Sequence, residues 1–207
     1  MSASIVYLHG FRSSPRSFKA QLLGRRMASV GLADKYVCPT LPVSPREAMV
    51  ETEALLAELG MRDGIKPVLI GSSLGGFYAT WLAERHGLRA AMLNPATRPE
   101  RDLAKYVGEQ PLWHGGGTIR VEPYHLDELR ALVVPAITQP ERYYLLAATG
   151  DEVLDYREML SHFPGAVTRV LDGSDHGISD FAQCMDEVLV FCGVPAELLA
   201  AHPFSAA

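Results

Sequence analysis

The stretch Val68-Leu69-Ile70-Gly71-Ser72-Ser73-Leu74-Gly75-Gly76-Phe77-Tyr78-Ala79 joins a short apolar run, a glycine–serine turn and the start of a helical pattern. Read as strand–turn–helix, it puts the spacing G-x-S-x-G where a sharp turn presents one hydroxyl. Gly71 and Gly75 flank Ser73 and not Ser72, so Ser73 is the residue presented. Such a turn is so tight that its neighbours collide unless they lack a Cβ, which accounts for the glycine on either side. A phosphate-binding loop would close with Gly-Lys-Ser/Thr, and no lysine lies between Lys66 and Lys105. The other alternative is a glycine-rich turn without chemistry, and only partner residues elsewhere decide against it.

Upstream, Ile5 to Leu8 reads as a buried strand running into His9-Gly10-Phe11. Ser14-Pro15 opens a helix carrying Phe18, Leu22, Leu23, Met27 and Val30 at helical spacing, closed by Gly31. Tyr36 to Leu41 is a second strand, stopped by Pro39 and Pro42. Ser44-Pro45-Arg46-Glu47 is a capping box, starting a helix that ends at Gly60. After the serine turn, a helix reaches Gly87 and an apolar strand, Leu88 to Leu93, ends at Asn94-Pro95. This β-α-β-α-β-α-β alternation, with strands apolar throughout, predicts a parallel sheet covered by helices on both faces.

Between about 96 and 140 the rhythm breaks. Prolines, the run Gly115-Gly116-Gly117 and weak helical patches near 101–107 and 124–133 read as a cap inserted above the sheet, inside a single domain spanning 1–207. His114-Gly115-Gly116-Gly117 looks like an oxyanion motif but follows the nucleophile instead of preceding it, so a glycine hinge is the reading taken. Regular structure resumes with a strand at 142–148, a helix at 154–162, a strand at 166–171, the loop Asp172-Gly173-Ser174-Asp175-His176-Gly177 and a final helix begun by Ser179.

The 207 residues are 48% hydrophobic and 21% charged, enough apolar material for one good core. A formal net charge of −5 gives no nucleic-acid footprint. No apolar run approaches a membrane span, and the N-terminus lacks a basic start and a cleavage site. Cys38, Cys184 and Cys192 have neither disulfide-framework nor zinc spacing. They read as free thiols and predict a cytoplasmic protein.

A serine hydroxyl becomes a nucleophile only with a base in hydrogen-bond reach and an acid to orient that base. On a doubly wound sheet the partners follow in the order Ser, Asp/Glu, His, on loops after later strands. Asp151 follows the strand ending Ala147-Ala148, and His176 follows the last strand. The alternatives are that Asp151 caps its helix, or that Asp155 is the acid; Asp175 stands too near His176 in sequence to orient it. The oxyanion hole is expected from the N–H groups of Leu74 and Phe11, with His9 in a structural role. His176 would take the Ser73 proton, an acyl-enzyme would form, and water would release the acid, with no metal or organic cofactor.

Tyr7-Leu8-His9-Gly10-Phe11, Gly71-Ser72-Ser73-Leu74-Gly75-Gly76-Phe77-Tyr78, Asn94-Pro95-Ala96, Thr149-Gly150-Asp151-Glu152-Val153-Leu154-Asp155-Tyr156 and Asp175-His176, in that order, resemble the YqiA-like esterases, small bacterial members of the α/β-hydrolase superfamily. The resemblance runs from near the N-terminus to the last helix and is weakest over Gln110 to Val121. It implies a compact α/β-hydrolase fold, hydrolysis of acyl esters and acyl-CoA thioesters, and a triad of Ser73, Asp151 and His176. Leu112, Trp113, Ile119 and Tyr124 are candidates for an acyl pocket, against a plain packing role. Arg12, Arg16 and Lys19 stand near the oxyanion loop and read as a solvated helix face, the functional alternative being contact with an anionic substrate such as a CoA thioester. Peptidase, lactonase or perhydrolase chemistry would use the same fold and triad, whereas a non-catalytic binding module would usually lack one member.

Overall fold

The computed structural model describes residues 3–205. Six parallel strands form the main sheet: β1 (Ile5–Leu8), β2 (Tyr36–Val37), β3 (Val68–Ser72), β4 (Ala90–Leu93), β7 (Tyr143–Ala148) and β8 (Val167–Leu171). Their order across the sheet is β2-β1-β3-β4-β7-β8. The chain steps from β1 to one side and returns to place β3 on the other, so a crevice opens beyond the carboxyl ends of β1 and β3.

Alternation explains why the strands read as unbroken apolar runs. In β7, Tyr143, Leu145 and Ala147 enter the core on one face, and Tyr144 and Leu146 enter the core on the other. The first core packs under α2 (Pro45–Asp63) and α3 (Leu74–His86), and the second under α1 (Phe18–Ser29) and α7 (Met185–Phe191). Arg26 of α1 is only 1% exposed and makes a two-pronged bond to Asp186 of α7 at 2.8 and 2.7 Å. It also donates to the carbonyls of Leu199, in α8 (Ala196–Ala201), and of His202.

Several boundaries differ from expectation. Half of the expected capping box before α2 forms, with Ser44 Oγ accepting Glu47 N–H at 3.2 Å, and the helix runs through Gly60 to a left-handed Gly64 with φ 69°. The tight turns at 13–17 delay α1 to Phe18. β2 stops at Val37, before Pro39.

Between β4 and β7 the chain forms α4 (Pro99–Asp102), the antiparallel pair β5 (Gly108–Pro111) and β6 (Thr118–Val121), and α5 (Pro123–Ala131). Gly115, Gly116 and Gly117 lie at the turn of this hairpin with φ of 86°, 71° and 90°, a region that admits glycine at no steric cost. The sequence predicts a hinge there and no strands. The hairpin's burial alternates only weakly, so its strand signal was faint. α6 (Tyr156–His162) precedes β8. Among the described residues, no helix is long and apolar enough to cross a membrane.

Candidate active site

β3 ends in the turn that carries Ser73, whose φ of 54° and ψ of −121° cost a residue with a Cβ roughly 1–3 kcal/mol. Close backbone approaches hold the turn. A Cβ on Gly71 would strike the Gly75 backbone, and one on Gly75 would strike the Leu8 carbonyl, so α3 is pressed against the end of β1. Gly10 faces the serine itself: a Cβ there would stand 3.2 Å from Ser73 Cβ.

Here three side chains distant in sequence converge. His176 Nε2 lies 3.1 Å from Ser73 Oγ, and His176 Nδ1 lies 2.8 Å from Asp151 Oδ2. The Asp151 side chain is 1% exposed and that of His176 22%, so the pair faces the site with its acid shielded from water. An ionised carboxylate only accepts, which assigns the proton to Nδ1 and leaves Nε2 to accept from the serine hydroxyl. Asp151 Oδ1 meanwhile accepts the N–H groups of Val153 and Leu154, each at 2.8 Å. Capping and orienting are therefore divided between its two oxygens. Asp155 N-caps α6 by accepting Arg157 N–H at 2.9 Å, and Asp175 accepts Ser179 N–H. Neither is bonded to the imidazole.

The histidine loop is held from behind by a residue to which the sequence pattern assigns no role beyond ending a strand. Asn94, fully buried with φ 43°, donates to the carbonyls of Asp175 and His176 at 3.1 Å each, and its Oδ1 accepts Ala148 N–H at 2.8 Å. It ties the end of β4 to the loops carrying both Asp151 and His176. The available signal was asparagine's tolerance of positive φ at a strand end. Glu152 adds a second tether by accepting His176 N–H at 3.0 Å.

Leu74 opens α3 and Phe11 follows β1. Among the described residues neither N–H has an acceptor, as an oxyanion hole requires. His9 is buried and bridges its own loop to the chain at Leu41, with Nδ1 on the Gly10 carbonyl and Nε2 accepting Leu41 N–H. Burial lowers its pKa, partly offset by the Gly10 carbonyl, so the ring stays neutral and able to accept.

Two cavities flank Ser73 and His176, with Phe11 and Trp113 lining both. One, of about 200 Å³, is walled by Leu74, Ala96, Pro99, Leu103, Val153 and Leu154, with exposed Lys105 among its polar residues. A narrow crevice lined by Val121, Leu126 and Leu129 shares Phe11, Leu74 and Leu103 with it. The other, of about 260 Å³, is lined by Tyr7, Ser17, Phe18 and Lys19 among others.

Trp113 is latched to the loop after β1. Its backbone N–H donates to the Arg12 carbonyl at 2.9 Å, the Arg12 guanidinium lies 4.0 Å above its ring, and Arg12 Nε donates to the Pro111 carbonyl at 2.5 Å. Of the residues expected at an acyl pocket, only Trp113 arrives. Leu112, Ile119 and Tyr124 line neither cavity. Leu112 neighbours Trp113 in extended chain, where successive side chains point to opposite sides. Tyr124 is 54% exposed and stands edge-on to His125. Of the cations read as a solvated face, Arg12 is committed to Trp113, and Lys19 is 9% exposed with Nζ donating to the Gly177 carbonyl at 2.5 Å.

A parallel sheet with a strained serine turn at its topological switch is the α/β-hydrolase fold, and solved structures share it. One of the metagenome-derived lipolytic enzymes LipS and LipT is 18% identical, with a TM-score of 0.68 over 92% of this chain and 94% of that one. Est1E from Butyrivibrio proteoclasticus is 12% identical, with a TM-score of 0.67 over 96% and 89%. The esterase domain of a Rhodothermus marinus protein is 20% identical, with a TM-score of 0.61 over 96% and 85%. The chain belongs to the family described as "Uncharacterised protein family (UPF0227)", whose model matches residues 4–193; this is the YqiA-like esterase family that its motifs resemble.

Proposed function

We propose that the protein is a serine hydrolase that cleaves carboxylic esters, and thioesters of the acyl-CoA kind, through an acyl-enzyme on Ser73. The single observation that carries this reading is the unbroken hydrogen-bonded chain Ser73–His176–Asp151 beside two N–H groups without acceptors. The esterase and lipolytic names of the fold neighbours agree with it.

The chemistry follows from the geometry. As Ser73 Oγ attacks the acyl carbon, its proton passes to His176 Nε2, and Asp151 stabilises the imidazolium through Nδ1–H. The carbonyl π pair moves onto oxygen, where the N–H groups of Phe11 and Leu74 receive the charge. Collapse breaks the bond to the alcohol or thiol, which takes the proton from Nε2. Water then repeats the sequence on the acyl-enzyme, giving its proton to His176, and Ser73 recovers its own as the acid leaves. The cavity that continues into the crevice under Phe11 and Leu103 holds the acyl chain. The segment from about 96 to 140 serves as its cap, with Trp113 at the division between the two cavities. The substrate is a small molecule, and the three thiols, none in a disulfide, fit a cytoplasmic setting.

The test is labelling with a fluorophosphonate probe together with turnover of p-nitrophenyl butyrate. Wild type is expected to label and to turn over, and Ser73→Ala to do neither. Labelling that survives the substitution overturns the assignment.

A further inference from the structure

Lys19 presents an unusual combination. It is 9% exposed and lines the larger of the two cavities beside Ser73. Its Nζ makes one hydrogen bond, to the Gly177 carbonyl, and no ion pair among the described residues. A buried charge is costly unless another charge meets it. Two further features of the same wall point the same way. Ser17, the N-cap of α1, makes no side-chain capping bond, and its Oγ is buried without a hydrogen-bond partner among the described residues. The Tyr7 phenol lies near Ser17 and Ser72, whose hydroxyls soften the upward effect of burial on its pKa, but it makes no hydrogen bond of good geometry to Ser17 Oγ. The first turn of α1, a helix of 12 residues, carries N–H groups that have no partner within the helix and a positive dipole end.

We propose that this wall is a carboxylate subsite: the larger cavity binds the leaving part of an ester whose alcohol carries a carboxylate, with Lys19 and Ser17 Oγ as its donors. The ammonium already feels the carboxylates of Asp175 and Asp151, so with one helix terminus beside it the wall balances no more than a single further negative charge, which fits a carboxylate better than a phosphate dianion. Assignment to the leaving part rests on the serine-hydrolase reading above, in which the other cavity takes the acyl chain. Lys19 is then a specificity-determining residue, not part of the bond-breaking machinery.

The experiment compares two matched substrates, the butyrate esters of 3-hydroxypropanoic acid and of 3-hydroxypropanamide, by release of butyrate at pH 7. Wild type is expected to favour the acid in kcat/KM by about tenfold to a hundredfold, the usual effect of a charge-assisted bond in a desolvated site. Lys19→Met is expected to remove the preference and Lys19→Arg to keep part of it. A purely structural role for Lys19 would lower both rates together and leave their ratio unchanged. Equal rates for acid and amide in wild type, or a preference that survives Lys19→Met, overturn the subsite. p-Nitrophenyl butyrate is the control: without its turnover by wild type, the hydrolase reading itself falls, and the subsite with it.

Discussion

Replacing Lys19 with methionine should make the protein more stable at neutral pH. Burial lowers the Lys19 pKa from 10.5 to about 8, against the opposing pull of Asp175 and Asp151. Each factor of ten in that equilibrium is worth about 1.4 kcal/mol, so keeping the ammonium charged inside the fold costs about 3 kcal/mol. Methionine has a similar unbranched stem and no charge. It gives up the bond to the Gly177 carbonyl, which at an exposed glycine costs about 1 kcal/mol because water can replace it. The net gain is about 2 kcal/mol at pH 7. Its pH dependence is the sharper signature. The group is a base with a folded pKa below its unfolded one, so the unfolded chain binds more protons between pH 8 and 10.5, and wild-type stability rises with pH there. The penalty is complete below pH 8 and gone above 10.5. Urea unfolding of both proteins at pH 7, 9 and 10.5 should therefore show the advantage of Lys19→Met shrinking with pH and turning into a small deficit, under about 1 kcal/mol, at pH 10.5, where only the lost bond to Gly177 remains, while other groups that titrate cancel in the difference. A variant less stable than wild type by the same amount at all three pH values would refute the reasoning, because it would mean the ammonium is fully satisfied where it sits. Stability given up beside Ser73 is what the proposed carboxylate subsite would cost the fold.

The remaining predictions concern the support of the triad. Asp151→Asn should keep the fold and lower kcat about 10⁴-fold by misassigning the imidazole tautomer, whereas Asp155→Ala should cost about 1 kcal/mol of stability as a lost N-cap and spare most activity; steady-state kinetics and urea unfolding on the pair separate them. Asn94→Ala strands the buried Ala148 N–H, frees two loop carbonyls and puts alanine at positive φ. It should cost about 2–4 kcal/mol and slow fluorophosphonate labelling of Ser73 under conditions where circular dichroism reports a native fold.

Legibility in the sequence tracked how local the physical cause was. The serine turn was readable because glycines are needed where backbones touch: Gly71 meets the Gly75 backbone within the turn, and Gly75 meets the end of β1 at Leu8. Asp151 and His176 were readable because strand ends fix their positions, and the alternating core of β7 made the strands plain. The hairpin β5–β6 was not, since its residues bury little and its glycines suit a hinge as well as a turn. Asn94 and Lys19 fail for a different reason. Nothing near Asn94 in the chain announces that carbonyls some eighty residues later will need a donor, with sequence separations of 81 and 82. Lys19 stands in a stretch that also holds Arg16 and Gln21, so local composition predicts solvent. Only the docking of α1 against the loop 175–178 buries it, through a contact 158 positions away. The meeting of Ser73, His176 and Asp151 obeys rules written into strand ends and turns, and so reads out directly. The features that would select a substrate arise where distant loops meet, and they become visible only as unpaired groups on a cavity wall.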